Sequence, residues 1–221
     1  MSILPHSPHG VAVAELAANR GKEVMLHTPM SAIDEGRTLD PGGLTADMSR
    51  EQLLATLKAN LAAIPHVKGL NNHMGSQLTQ FQQPMTWVMQ ELRARELYFV
   101  DSRTIANSLA WQTAVNQRVA TTQRDVFLDN DPSLLSIAKQ FNALLAIAQK
   151  HGQAVAIGHP YPETIQFLEI ALPLLAPGNI KVVSVSELVI QPTPPQWVLH
   201  SGYLLDDPPF DVSSPINDLA P

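Results

Sequence analysis

The chain has 221 residues, 45% of them hydrophobic and 15% charged, with a net charge of −6 and no cysteine. That is enough for one sizeable globular domain. It excludes disulfides and thiolate metal sites, and binding to nucleic acid through phosphate neutralisation. No apolar run approaches a membrane span, and the opening Met1–His6 lacks the basic and apolar regions of a signal peptide.

Ser2-Ile3-Leu4-Pro5 reads as the tail of a strand, and a helix follows over about residues 10–19 with Gly21 as its stop. Glu23-Val24-Met25-Leu26 is a short strand ending on His27-Thr28-Pro29-Met30. Residues 31–48 form a Gly-, Pro- and Asp-rich loop, and connections that long are usually functional. Ser49 with Gln52 makes a capping box for a helix whose Leu53, Leu57 and Leu61 share one face. Val67-Lys68-Gly69-Leu70 is a strand opening into a loop, Asn71-Asn72-His73-Met74-Gly75-Ser76. Further helices are predicted over about 84–95, 106–117, 132–150 and 162–175, and further strands over 97–100, 125–128, 154–157 and 181–185. From residue 191 the chain is Pro-rich and aperiodic, so residues 1–190 are read as the folded domain and 191–221 as an extended tail.

Strand and helix alternate, and the strands are short and continuously apolar, which predicts a parallel α/β fold buried on both faces. No P-loop or GxGxxG follows a first strand, so nucleotide binding has no support. Polar groups recur just past the strand ends: His27, His73, Asp101 with Arg103, Asp129 with Asp131, and His159. In a parallel barrel those ends share one rim, which brings distant residues together. Imidazole suits zinc and other first-row divalent metals, and a further His or Asp would serve as acid or base. Each position also has a plainer reading. His27 and His159 fit strand-end histidines bonded to backbone, Asp101 and Arg103 fit a structural ion pair, and Asp131 is favoured as a helix N-cap.

The segments His27-Thr28-Pro29-Met30, Pro41-Gly42-Gly43-Leu44-Thr45, Asn71-Asn72-His73-Met74-Gly75-Ser76, Phe99-Val100-Asp101-Ser102-Arg103-Thr104, Asp125-Val126-Phe127-Leu128-Asp129 and Ile157-Gly158-His159-Pro160 resemble the divergent polysaccharide deacetylase family, an offshoot of the NodB-type carbohydrate esterases. The likeness covers about residues 1–190. It implies a distorted (β/α) barrel of about seven mostly parallel strands, with a divalent metal, zinc, at the strand C-termini. It implies His27 and His73 as metal ligands and His159 as the acid, with Asp101 and Arg103 orienting that site. Asn71, Asn72 and Ser76 are the expected substrate contacts, and Asp129 is the one internal candidate for a catalytic base. The expected substrate is a cell-wall or other envelope polysaccharide, hydrolysed at N-acetyl groups in the periplasm or outside the cell.

Two departures from the family pattern stand out. Met30 occupies the place of the second His of the family's His motif, and no strand ending in an Asp pair opens the chain. A barrel without that strand has two unpaired edges, a liability for association. It is also expected to show little deacetylase activity unless an upstream Asp pair is restored. The alternative is a glycan-binding or envelope-associated protein that keeps the fold without turnover.

Overall fold

The computed structural model describes residues 1–34, 36–175 and 180–191. Five parallel strands form the main sheet in chain order: β1 (Ser2–Ile3), β2 (Val24–Met30), β3 (Val67–Met74), β4 (Tyr98–Asp101) and β5 (Thr121–Gln123). A separate parallel pair joins β6 (Val126–Phe127) to β7 (Ala156–Ile157). Helices α1 (Gly10–Asn19), α2 (Arg50–Ala63), α3 (Gln82–Ala94), α4 (Ala110–Asn116), α5 (Leu134–His151) and α6 (Pro162–Ala171) connect them. This is the predicted α/β architecture, consistent with a distorted barrel lacking a strand. Among the described strands β1, β5, β6 and β7 each pair with one other strand only.

Alternation along the strands sorts the side chains into two layers. Leu26, Leu70 and Phe99 face the helices and pack with Leu53, Leu57 and Met89 in the main core. Met25, Tyr98 and Val100 face the other way, with Val185 and Val189 closing over them. Gly69 makes room for this inner layer, because a Cβ there would lie 2.2 Å from the Tyr98 ring. The predicted capping box of α2 forms, with Ser49 Oγ accepting from Gln52 N–H and Gln52 Oε1 from Ser49 N–H.

Several elements differ from the sequence expectation. The Asn71-Asn72-His73-Met74 stretch belongs to β3, not to a loop after it, and His27–Met30 likewise belongs to β2. The two runs pair in register, His27 beside Asn71 and Pro29 beside His73. The unpredicted β5 is polar, Thr121-Thr122-Gln123, and so lacks the apolar run that marks a buried strand. Residues 181–184 form no strand despite three valines among residues 181–185. Val185–Glu187 is a 3₁₀ turn and Ile190 makes an antiparallel bridge to Thr121. The N-cap of α5 is Ser133, while Asp131 accepts from the Ser133 N–H as a turn residue, so the helix-cap reading of Asp131 is displaced by two residues. The predicted tail lies outside the described residues beyond Gln191.

Candidate active site

Strand parity decides which polar residues at the C-terminal rim converge. His27 on β2 and Asn71 and His73 on β3 fall on the inner face, the parity of Met25 and Val100. Asn72 and Asp101 fall on the opposite parity, with Leu70 and Phe99, toward the helices.

The inner-face residues form one chain of contacts. His27 Nδ1 lies 3.0 Å from Asn71 Oδ1, and His27 Nε2 lies 3.1 Å from His73 Nδ1. His73 Nε2 lies 3.1 Å from a carboxylate oxygen of Asp40, in the 31–48 loop. Neighbours fix the Asn71 amide: Ser102 Oγ donates to the Asn72 carbonyl and so accepts from Asn71 Nδ2. Asn71 Oδ1 is then the acceptor, and it also takes a hydrogen bond from Ser2 Oγ on β1. His27 therefore donates through Nδ1, which leaves a lone pair on Nε2 when the ring is neutral. Burial, reinforced by the neighbouring His73, pushes the His27 pKa down to about 4, so the ring is neutral at pH 7. Burial also lowers the His73 pKa, against the pull of Asp40.

Two imidazole nitrogens bound to one ion at about 2.0–2.1 Å each lie roughly 3–3.5 Å apart. The His27–His73 separation falls in that span. Among the described residues no set of three His, Cys, Asp or Glu side chains converges for a metal. The two rings would supply at most two nitrogen donors to an ion, half of a tetrahedral set.

His159 follows β7, and its positive charge when protonated bears on both His27 and His73. Its Nδ1 lies 3.1 Å from Asp129 Oδ1. Asp129 is fully enclosed at its side chain, and its other oxygen accepts from His159 N–H at 2.5 Å and Thr164 Oγ1 at 2.9 Å. The His159 ring is 40% exposed, between Phe127 and Tyr161, so its Nε2 is the edge turned outward.

The remaining predicted residues build the platform. Asp101 is 1% exposed; it accepts from Arg103 N–H at 2.8 Å, Ser108 Oγ at 2.7 Å and Trp111 N–H at 3.2 Å, so it ties the β4 end to the start of α4. No ion pair joins it to Arg103 among the described residues; the Arg103 guanidinium reaches Gln123 and the Ala106 carbonyl. Asn72 is 1% exposed and holds Ser102 N–H and the Met74 carbonyl. Ser76 accepts from Ile33 N–H, tying the β3 turn to the 31–48 loop. Met74 and Arg103 both carry left-handed φ, 52° and 47°, at adjacent strand ends, a local strain of the kind that gathers at functional rims. Sequence reasoning did not single out Ser2, Asp40, Ser102 or Arg124. Arg124 donates to the Ser102 and Arg103 carbonyls at 2.7 Å. Only Asp40 left a signal in the sequence, its place in the unusually long loop.

A sequence model of the family described as divergent polysaccharide deacetylase matches residues 1–189. The Escherichia coli K12 protein YibQ, itself uncharacterized, is 36% identical over 201 residues, covering 89% of this chain and 62% of YibQ. An uncharacterized protein of Haemophilus influenzae is 36% identical over 199 residues, covering 88% of this chain and 70% of its own length. The chain therefore spans less than two thirds of YibQ. The crystal structure of uncharacterized protein ATU2773 from Agrobacterium tumefaciens C58 superposes with a TM-score of 0.82 at 24% identity, over 85% of this chain and 77% of that one.

Proposed function

Because the chain belongs to the divergent polysaccharide deacetylase family, we propose that its C-terminal rim is a metal-dependent site for hydrolysing N-acetyl groups on a cell-envelope carbohydrate, in the periplasm or outside the cell. The observation that supports this most is the approach of His27 Nε2 to His73 Nδ1 at 3.1 Å, with Asn71 on the other nitrogen of His27 and Asp40 on the other nitrogen of His73. With the His73 proton on Nε2, toward Asp40, the two facing nitrogens repel each other unless a cation lies between them, and burial disfavours charging either ring instead.

His27 and His73 would hold the ion, zinc or another first-row divalent metal. Bound there, it would polarise the acetyl carbonyl and lower the pKa of an attacking water. Asn71, from beneath, keeps His27 in the tautomer that leaves Nε2 free. His159 gives a proton to the leaving amine through its outward Nε2. Asp129 is too enclosed to meet substrate and acts through His159, fixing its tautomer and ring orientation. Asp101 and Arg103 shape the β4–α4 loop that carries Ser102, and Ser102 holds Asn71. Ser76 stands at the partly open end of the site, where the sugar would enter.

The test is stoichiometric zinc binding together with chelator-sensitive acetate release from acetylated chito-oligosaccharides or peptidoglycan fragments. Both are expected to fail in His73→Ala. A second reading, glycan binding without turnover, is favoured by one fact: no carboxylate joins the two imidazoles among the described residues. Retention of the glycan without acetate release, with zinc present, decides for it.

A further inference from the structure

The His27–His73 pair is only a donor pair if His73 keeps its proton on Nε2. Unlike His27, His73 has no amide beneath it. The group on its Nε2 is the Asp40 carboxylate, 3.1 Å away on a loop ten residues beyond β2. A carboxylate is an acceptor only, so it selects the Nε2–H tautomer and leaves Nδ1 as a lone pair toward His27. The two nitrogens of one imidazole diverge. Asp40 on Nε2 therefore does not share an ion held at Nδ1.

The loop places that carboxylate with more anchoring than a surface contact requires. Leu44 is fully buried and exchanges backbone hydrogen bonds with the end of β2, donating to the Pro29 carbonyl and accepting from Ser31 N–H, each at 2.9 Å. The Asp40 carbonyl accepts from Gly43 N–H at 3.0 Å, closing a turn at Asp40-Pro41-Gly42-Gly43. Gly42 takes a left-handed φ of 80°, and its carbonyl accepts from Asn60 Nδ2 at 2.7 Å. Asn60 is a fully buried amide in the last turn of α2, and its Oδ1 meets His6 Nε2 at 3.1 Å. A Cβ on Gly42 would come within 2.3 Å of Asn60 Oδ1 and 2.9 Å of the His6 ring. A buried polar residue on a core helix thus anchors the turn that presents Asp40.

We infer that Asp40 is a positioning residue for the His27–His73 site: it fixes His73 as the Nε2–H tautomer, so that Nδ1 is available as a ligand, and Asn60 holds the turn that keeps it there. The inference rests on reading that pair as the metal site. Without Asp40, His73 is free to carry its proton on Nδ1 and donate it to His27 Nε2. The site then closes on itself as an ordinary hydrogen bond.

Two measurements on the full chain test this. The first is the tautomeric state of His73 in metal-free protein, read from the ¹⁵N shifts of its two ring nitrogens. Wild type is expected to carry the proton on Nε2, D40A to move it to Nδ1, and D40N, which keeps an acceptor oxygen, to restore the wild-type pattern. The second is zinc affinity, expected to fall about 10–100-fold in D40A, as for other outer partners of metal-bound histidine. D40N should restore it. An unchanged His73 tautomer in D40A overturns the inference, and so does a zinc affinity unchanged in D40A. If wild type binds no zinc, the proposed function fails, while the tautomer measurement still decides the role of Asp40.

Discussion

The rim holds two histidine arrangements that differ in what stands behind the ring. At β2–β3, His27 is backed by the amide of Asn71 and keeps only partial exposure, with its pKa pushed to about 4. At β6–β7, His159 is backed by the enclosed carboxylate of Asp129 and its ring is 40% exposed. Burial holds His27 uncharged, the state in which imidazole binds metal, against the upward pull of the Asn71 hydrogen bond. At His159 the enclosed carboxylate sits on Nδ1, which fixes the tautomer and orientation of the ring and leaves Nε2 free. The same side chain is thereby specialised for two jobs by its partner and its access to water.

Breaking the β2–β3 side should have the largest effect. His27→Ala is expected to abolish zinc binding, a greater loss than the roughly 10–100-fold that follows removal of an outer partner. Its circular dichroism should match wild type, because His27 is the one residue of β2 that is not buried. Isothermal titration with zinc checks this.

The acid–base side should break separately. Asp129→Asn is expected to lower acetate release by about 10²-fold or more, since it removes the acceptor that orients His159, while zinc affinity stays at the wild-type value. A parallel loss of zinc affinity would show that the two sides are one unit.

The pH dependence of metal-free protein sharpens the contrast. His27 has a folded pKa of about 4 against an ordinary value of 6.5. Between those values the unfolded chain binds the proton and the folded chain does not, so stability rises with pH across the window. The contribution is fully present above about 6.5 and is lost as pH falls toward 4, up to about 3 kcal/mol. The lowered pKa of His73 acts in the same direction. Urea unfolding at pH 7, 5.5 and 4 should show a shallower loss in His27→Gln than in wild type.

How far all this could be read from the sequence turns on parity. The residue types at the rim marked the right stretch, and the strand-helix alternation marked the right fold. Three consecutive polar residues, Asn71, Asn72 and His73, looked alike as a loop. As part of β3 they alternate, so Asn71 and His73 reach the site and Asn72 turns to the helices. The same one-residue step separates Asp101, which secures α4, from Ser102, which holds Asn71. The long loop marked the neighbourhood of Asp40, but its contact with His73 and that of Ser2 with Asn71 were out of reach, because they span 33 and 69 residues and no local pattern encodes such pairings. The smallest predicted effect follows from this parity. Asn72→Ala should cost about 1–3 kcal/mol by leaving the buried Ser102 N–H unpaired, with zinc affinity little changed, as chemical denaturation and titration would show.

The most direct test of the metal reading is anomalous diffraction from crystals soaked in zinc. One ion is expected at about 2.0–2.1 Å from both His27 Nε2 and His73 Nδ1, with Asp40 still on His73 Nε2. At saturating zinc, an ion bound elsewhere, or none between these two rings, would contradict it.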